Sequence, residues 1–103
     1  MKWDKLIPVE VEFCIDNAID LYKAGATGCS YHFILLSTFG AVSDSMLAKR
    51  IIESLTEYCA ARSIDCRYVP ETERFNLAID VTTVAVNNLK KKLIDNLISK
   101  RKA

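Results

Sequence analysis

The chain reads as a single α+β domain spanning residues 1–103, with the element order αβαββα. Three observations carry that reading. An apolar run over residues 30–39 has the density of a strand. Residues 74–83 alternate apolar and polar, the period of a half-buried strand. Two longer stretches, from residue 44 to about residue 62 and from residue 84 onward, repeat apolar residues at helical spacing. The 103-residue length is that of one ordinary domain. Half the residues are hydrophobic and 26% charged, a globular composition, and three Gly and two Pro leave no material for a linker.

The first element is the ambiguous one. Ile7, Val9, Val11 and Phe13 alternate with Pro8, Glu10 and Glu12, a strand period. Against that, Val11, Cys14, Ile15, Ala18, Ile19 and Tyr22 share one helical face, with Pro8 near its start and Gly25 at its end. The helical reading, over residues 9–24, is the one adopted. Residues 30–39 follow, and Tyr31-His32-Phe33-Ile34-Leu35-Leu36 is apolar at both alternating sets of positions, as in a strand covered on both sides. Gly40, Ser43 and Asp44 supply helix-starting chemistry. The helix after them runs to about Arg62 and places Leu47, Ile51, Ile52, Leu55, Tyr58 and Cys59 on one face. A short strand over residues 64–69 stops at Pro70, and the turn 70–73 leads into the strand 74–83. There Phe75, Leu77, Ile79 and Val81 form the buried set. Thr82 or Thr83 is placed to cap a last helix with Val86, Leu89, Leu93, Ile94, Leu97 and Ile98 as its inner face.

A βαββα run with short connections predicts a small antiparallel sheet with helices packed on it, a ferredoxin-like half preceded by an extra N-terminal segment. In that arrangement the strand at 30–39 is an edge. Apolar edges aggregate unless covered. The N-terminal segment or a second copy of the chain is the expected cover. From Tyr31 to Leu97, the aromatic-opened apolar strand, long amphipathic helix, Pro-bearing turn and Thr82-Thr83 before a final helix resemble the GhoS-type antitoxins. That resemblance implies a ferredoxin-like fold and endoribonuclease activity. The extra N-terminal segment and the terminal helix depart from the family's layout, and no functional residue is carried over.

Several function classes are excluded at this stage. No apolar run approaches the ~20 residues of a membrane span. The opening Met1-Lys2-Trp3-Asp4-Lys5, followed by Glu10 and Glu12, lacks the form of a signal peptide, so the cytoplasm is the expected location and no membrane partner is expected. Cys14, Cys29, Cys59 and Cys66 contain no Cys-x-x-Cys pair, and the single histidine, His32, has no companion at ligand spacing. Free thiols are expected, with no metal and no cofactor.

No catalytic set emerges. A Cys–His nucleophile needs a thiol beside His32, and Cys29, the nearest in sequence, points to the opposite strand face. Asp80 sits with Asn76 and Thr82 on a wet strand face without a second carboxylate. The segment 37–43 joins a strand to a helix start but lacks the glycines and Lys of a phosphate loop. A base-stacking sheet needs exposed aromatics, whereas Phe75 lies on the apolar face of its strand.

Charge is uneven. Residues 1–44 carry three Lys against six acids, while residues 45–103 carry eleven Lys and Arg against seven. At the C-terminal end Lys90, Lys91, Lys92, Lys100, Arg101 and Lys102 stand against Asp95 alone, and these six are the candidate nucleic-acid contacts. Basic residues late in a helix also offset its dipole. The sequence therefore reads as a non-catalytic interaction or regulatory module whose partner is a protein or itself as a homodimer. An RNA- or DNA-binding protein using the basic terminal helix, with antitoxin-like ribonuclease activity, is the alternative.

Overall fold

From Trp3 through Leu6, Ile7, Val11, Cys14 and Ala18, apolar residues recur at the spacing of one helix face. The computed structural model describes residues 2–42 and 44–102, apart from the side chains of Lys2, Arg101 and Lys102. It folds this stretch as α1, Lys2–Lys23. The helix thus begins well before the expected residue 9, and Pro8 lies inside it. Lacking an N–H, Pro8 leaves one helical bond unmade, at a cost of ~3 kcal/mol. Burying Ile7 and Val11, with Trp3 and Leu6 packed partly against them, offsets that at ~1.5–3 kcal/mol per buried aliphatic side chain. The strand-like alternation has no counterpart, for Val9 and Phe13 are exposed on the helix.

The strand expected at 30–39 is β1, Cys29–Leu35, and the chain then tightens into a 3₁₀ turn, Leu36–Phe39. Leu36 and Phe39, three apart, fall on one side of that turn and are both buried. The Phe39 ring meets Phe75 edge-on at 6.4 Å. Gly40 closes the turn in the left-handed region (φ 78°), which its missing Cβ permits. Helix α2, Met46–Ala60, is capped by Ser45, whose hydroxyl accepts from the Ala48 N–H at 3.0 Å. Ser45 takes the role expected of Asp44, and Ser43 lies outside the described residues. Ala48, Ile51, Leu55 and Cys59 are the buried face of α2.

Strands β2, Asp65–Val69, and β3, Arg74–Asp80, form an antiparallel hairpin. β3 also pairs antiparallel with β1, giving the three-stranded order β1-β3-β2 with β3 in the centre. Phe75, Leu77 and Ile79 are buried, and Asn76 and Asp80 are exposed, as the alternation predicts. The helices cover only that buried face of the sheet. β1 is accordingly covered on one side: Ile34 is buried, whereas Tyr31, Phe33 and Leu35 face solvent. The expectation of a strand covered on both sides fails because a three-stranded sheet with every helix on one face leaves the other bare.

β3 ends at Asp80 rather than residue 83, because helix α3, Val81–Lys102, begins at once. Its cap is neither Thr82 nor Thr83. The Asp80 carboxylate accepts from the Thr83 N–H at 2.9 Å. Val81 and Val84 are buried, but the inner face expected at Val86, Leu89, Leu93, Ile94, Leu97 and Ile98 is exposed throughout. Helix α3 packs mainly on α1 and hardly on the sheet, and from Leu89 onward each of its described side chains is exposed.

Replacing the Asp80 cap should therefore weaken the fold. Asp80→Ala is expected to cost about 1 kcal/mol, and Asp80→Asn only a few tenths, in urea unfolding monitored by circular dichroism. An Ala variant as stable as the parent would remove this cap from the account.

Candidate functional site

The outer edge of β1 is the feature with the most defined chemistry. Residues of β1 and β3 pair so that their numbers total 109, as in Ile34 with Phe75 and His32 with Leu77. Just beyond the strand ends, Leu36 N–H donates to Glu73 C=O at 2.9 Å, and Val81 N–H donates to Gly28 C=O at 3.0 Å. Bonded pairs alternate along an antiparallel ladder. The even-numbered residues from Gly28 to Leu36 therefore spend their backbone groups on β3. Cys29, Tyr31 and Phe33 aim their N–H and C=O groups outward, away from the sheet, and Leu35 aims its N–H there, its C=O accepting the first bond of the 3₁₀ turn.

The same four residues place their side chains on the bare face. Tyr31 is 81% exposed and Phe33 58%. Across the sheet, Tyr31 lies level with Ala78 and Asp65, Phe33 with Asn76 and Arg67, and Leu35 with Arg74 and Val69. The Arg74 guanidinium sits 4.3 Å from the centre of the Phe33 ring, a cation–π contact. The sheet therefore does expose aromatics, and they come from β1, not from the strand of Phe75. Beneath the edge, a groove runs between Tyr31, His32, Phe33 and Ile34 of β1 and Glu10, Phe13, Cys14 and Asn17 of α1.

His32 opens onto this groove. Its Nε2 is 2.7 Å from Ser30 Oγ, and burial holds the imidazole below its ordinary value. Cys29 lies on the opposite face, as expected. The thiol that does share the groove is Cys14, which the sequence separation concealed. Burial and Glu10 push it up to about 11, which makes it a poor nucleophile near neutral pH. Cys59 and Cys66 share a hydrogen bond that raises the first and lowers the second. All four cysteines are free thiols. Among the described residues no group of three or more His, Cys, Asp or Glu side chains is placed to hold a metal ion.

A second concavity lies where α1, the end of α2 and α3 meet, lined by Glu12, Arg62, Asn87, Asn88 and Lys91 among others. Its Glu12 and Arg62 are already engaged. Glu12 Oε1 accepts from the Tyr58 hydroxyl at 3.4 Å and pairs with Arg62 Nε at 3.7 Å, while the Arg62 guanidinium lies 3.4 Å over the Tyr58 ring. Asp80 is occupied as a helix cap. The turn 36–39 packs Leu36 and Phe39 inward, an apolar plug in place of a phosphate cradle.

Lys90, Lys91, Lys92 and Lys100 are exposed along α3 from its middle onward, with Asp95 also exposed among them. The side chains of Arg101 and Lys102 lie outside the described residues. No helix is long and apolar enough, among the described residues, to cross a membrane. Compared with protein-family models, curated proteins and solved structures, the chain matches none.

Because the chain has one histidine, its titration is unambiguous. The His32 ring should titrate below the ordinary ~6.5 in an NMR series. The unfolded chain then binds the extra proton first, so stability is full above about pH 6.5 and declines as pH falls toward the folded midpoint. A midpoint at or above 6.5 would contradict the burial assigned to the ring.

Proposed function

We propose that the protein is a non-catalytic interaction module whose working surface is the free edge of β1. One observation supports this best. An apolar strand of seven residues presents outward backbone groups at four positions, without charge, Pro or Gly to blunt it. Soluble proteins ordinarily protect an exposed edge with a Lys, a Pro, a bulge or a covering loop. Here none of these is present within Cys29–Leu35, and the chemistry offered is that of strand addition, in which backbone bonds bind and flanking side chains select. The partner is a protein strand, and the module's role is regulatory or scaffolding.

Tyr31→Pro tests the reading. The Tyr31 N–H points away from β3, so Pro at that position removes an outward donor while sparing the ladder. Deuterium exchange of labelled protein, in buffer and in concentrated extract of its source cells, should show protected Tyr31, Phe33 and Leu35 amides in at least one setting. The Pro variant should lose that protection and keep its helical circular dichroism. Open-chain exchange rates at these amides in both settings would end the proposal.

A second reading is favoured by the exposure of Lys90, Lys91, Lys92 and Lys100 along α3. It takes single- or double-stranded RNA or DNA on that helix, and the resemblance to GhoS-type antitoxins would add RNA cleavage. Each phosphate contacted contributes roughly −0.7 to −0.9 to the log–log salt slope. Changing Lys90, Lys91 and Lys92 to Gln should flatten the slope with little effect on stability, since exposed lysines contribute little to it. Binding curves that stay flat to tens of micromolar protein at about 100 mM salt would retire this second reading.

A further inference from the structure

We infer that the strand added to β1 is β1 of a second copy, antiparallel, about a two-fold axis passing between the two His32 residues. This rests on the strand-addition reading above. It deepens that reading by naming the occupant and the register.

The argument starts from which residues point outward. New bonded pairs must join odd-numbered residues to odd-numbered residues, because Cys29, Tyr31, Phe33 and Leu35 hold the free groups. Three registers satisfy that rule near the strand's middle, with the axis at residue 31, 32 or 33. An axis at 31 pairs Cys29 with Phe33 and leaves Leu35 beyond the end of the other strand. An axis at 33 leaves Cys29 over. Only the axis at 32 pairs the whole strand, joining Cys29 to Leu35 and Tyr31 to Phe33, each twice. With the Leu35 carbonyl already spent in the 3₁₀ turn, that register gives about six new N–H···O=C bonds, as many as the axis at 31 and more than the roughly four of the axis at 33.

The side chains favour the same register. It sets Tyr31 of each copy directly opposite Phe33 of the other, so the two most exposed large hydrophobic side chains of β1, at 81% and 58%, cover one another. Aromatic pairs directly opposite across antiparallel strands are among the favourable ones. Arg74, already over Phe33, closes the cluster at each end. Neither strand brings a charge to the seam. On the helix side, the incoming strand lies over the groove whose floor includes the exposed Phe13, with Glu10 as the charged residue lining it. The product is a continuous six-stranded sheet with all helices on one face. A strand of another protein would meet the same backbone groups, but it would have to bring its own match to the Tyr31–Phe33 spacing. The second copy carries that match by symmetry.

At the axis, His32 meets His32 as a widely spaced pair, with Cα atoms about 4.5 Å apart, inside the ~4.4–6.8 Å range of a disulfide. Tyr31 meets its own copy only diagonally, beyond that range. Single cysteines therefore read the axis. In a Cys29→Ser background, which removes the exposed thiol on this strand, His32→Cys, Tyr31→Cys and Phe33→Cys are oxidised in buffer and resolved on non-reducing gels. His32→Cys should cross-link at least tenfold faster than the other two, and the parent protein should sediment at twice its 11.6 kDa chain mass. Faster cross-linking at 31 or 33 overturns the axis and leaves strand addition standing. A parent that stays monomeric at several hundred micromolar, with no position cross-linking, overturns the second copy. If the β1 amides are still protected in cell extract, the occupant is a strand of another protein. If they are unprotected there too, the strand-addition reading falls with it.

Discussion

Everything in this fold leans on the buried face of β3. Phe75, Leu77 and Ile79 are almost wholly enclosed, and their strand is bonded on both sides. The core-facing residues of all three helices gather with them in one cluster. Once these side chains have drawn the helices to one side, the other side of the sheet has nothing left to cover it. The bare face and the open edge are thus consequences of where the core sits, not separate features. They are the cost of a three-stranded sheet in a chain rich in helix.

What the sequence disclosed and what it hid follow from the same geometry. The alternation of Phe75, Leu77 and Ile79 and the helical spacing of Ile51, Leu55 and Cys59 translated directly into burial, because each element has a partner along its whole length. Pro8 misled at α1, since a proline near a helix start is usually the start itself. Here Ile7 and Val11 bury enough surface to carry the helix through it. Leu89, Leu93 and Leu97 misled in the opposite direction. Periodicity says which residues share a side, not whether a neighbour extends far enough to cover them.

The candidate site was legible in outline. Strand order alone made β1 an edge, and the cations at 90–92 and 100 are on the surface as their composition suggests. The apolar doubling of Tyr31, Phe33 and Leu35 with His32 and Ile34 looked like burial on two sides, yet only the helix side is covered. Which residues aim their backbone outward depends on the phase of the ladder with β3, and no pattern of residue types encodes that phase. The neighbourhood of Cys14 and His32 was equally hidden, since it arises where α1 passes beneath the edge.

The unsupported half of α3 has a thermodynamic consequence of its own. Starting a helix is the unfavourable step, and the docked half, anchored by Val81 and Val84, has already taken it. Beyond Lys92 the helix only propagates, each turn held by its own backbone bonds and the intrinsic preferences of Leu, Ile and Lys, near the balance point for every residue added. Its length is therefore a sliding quantity. Cooling, or any surface that takes up its leucines or its lysines, lengthens it, and warming melts it from the end inward while the three-stranded core stays intact.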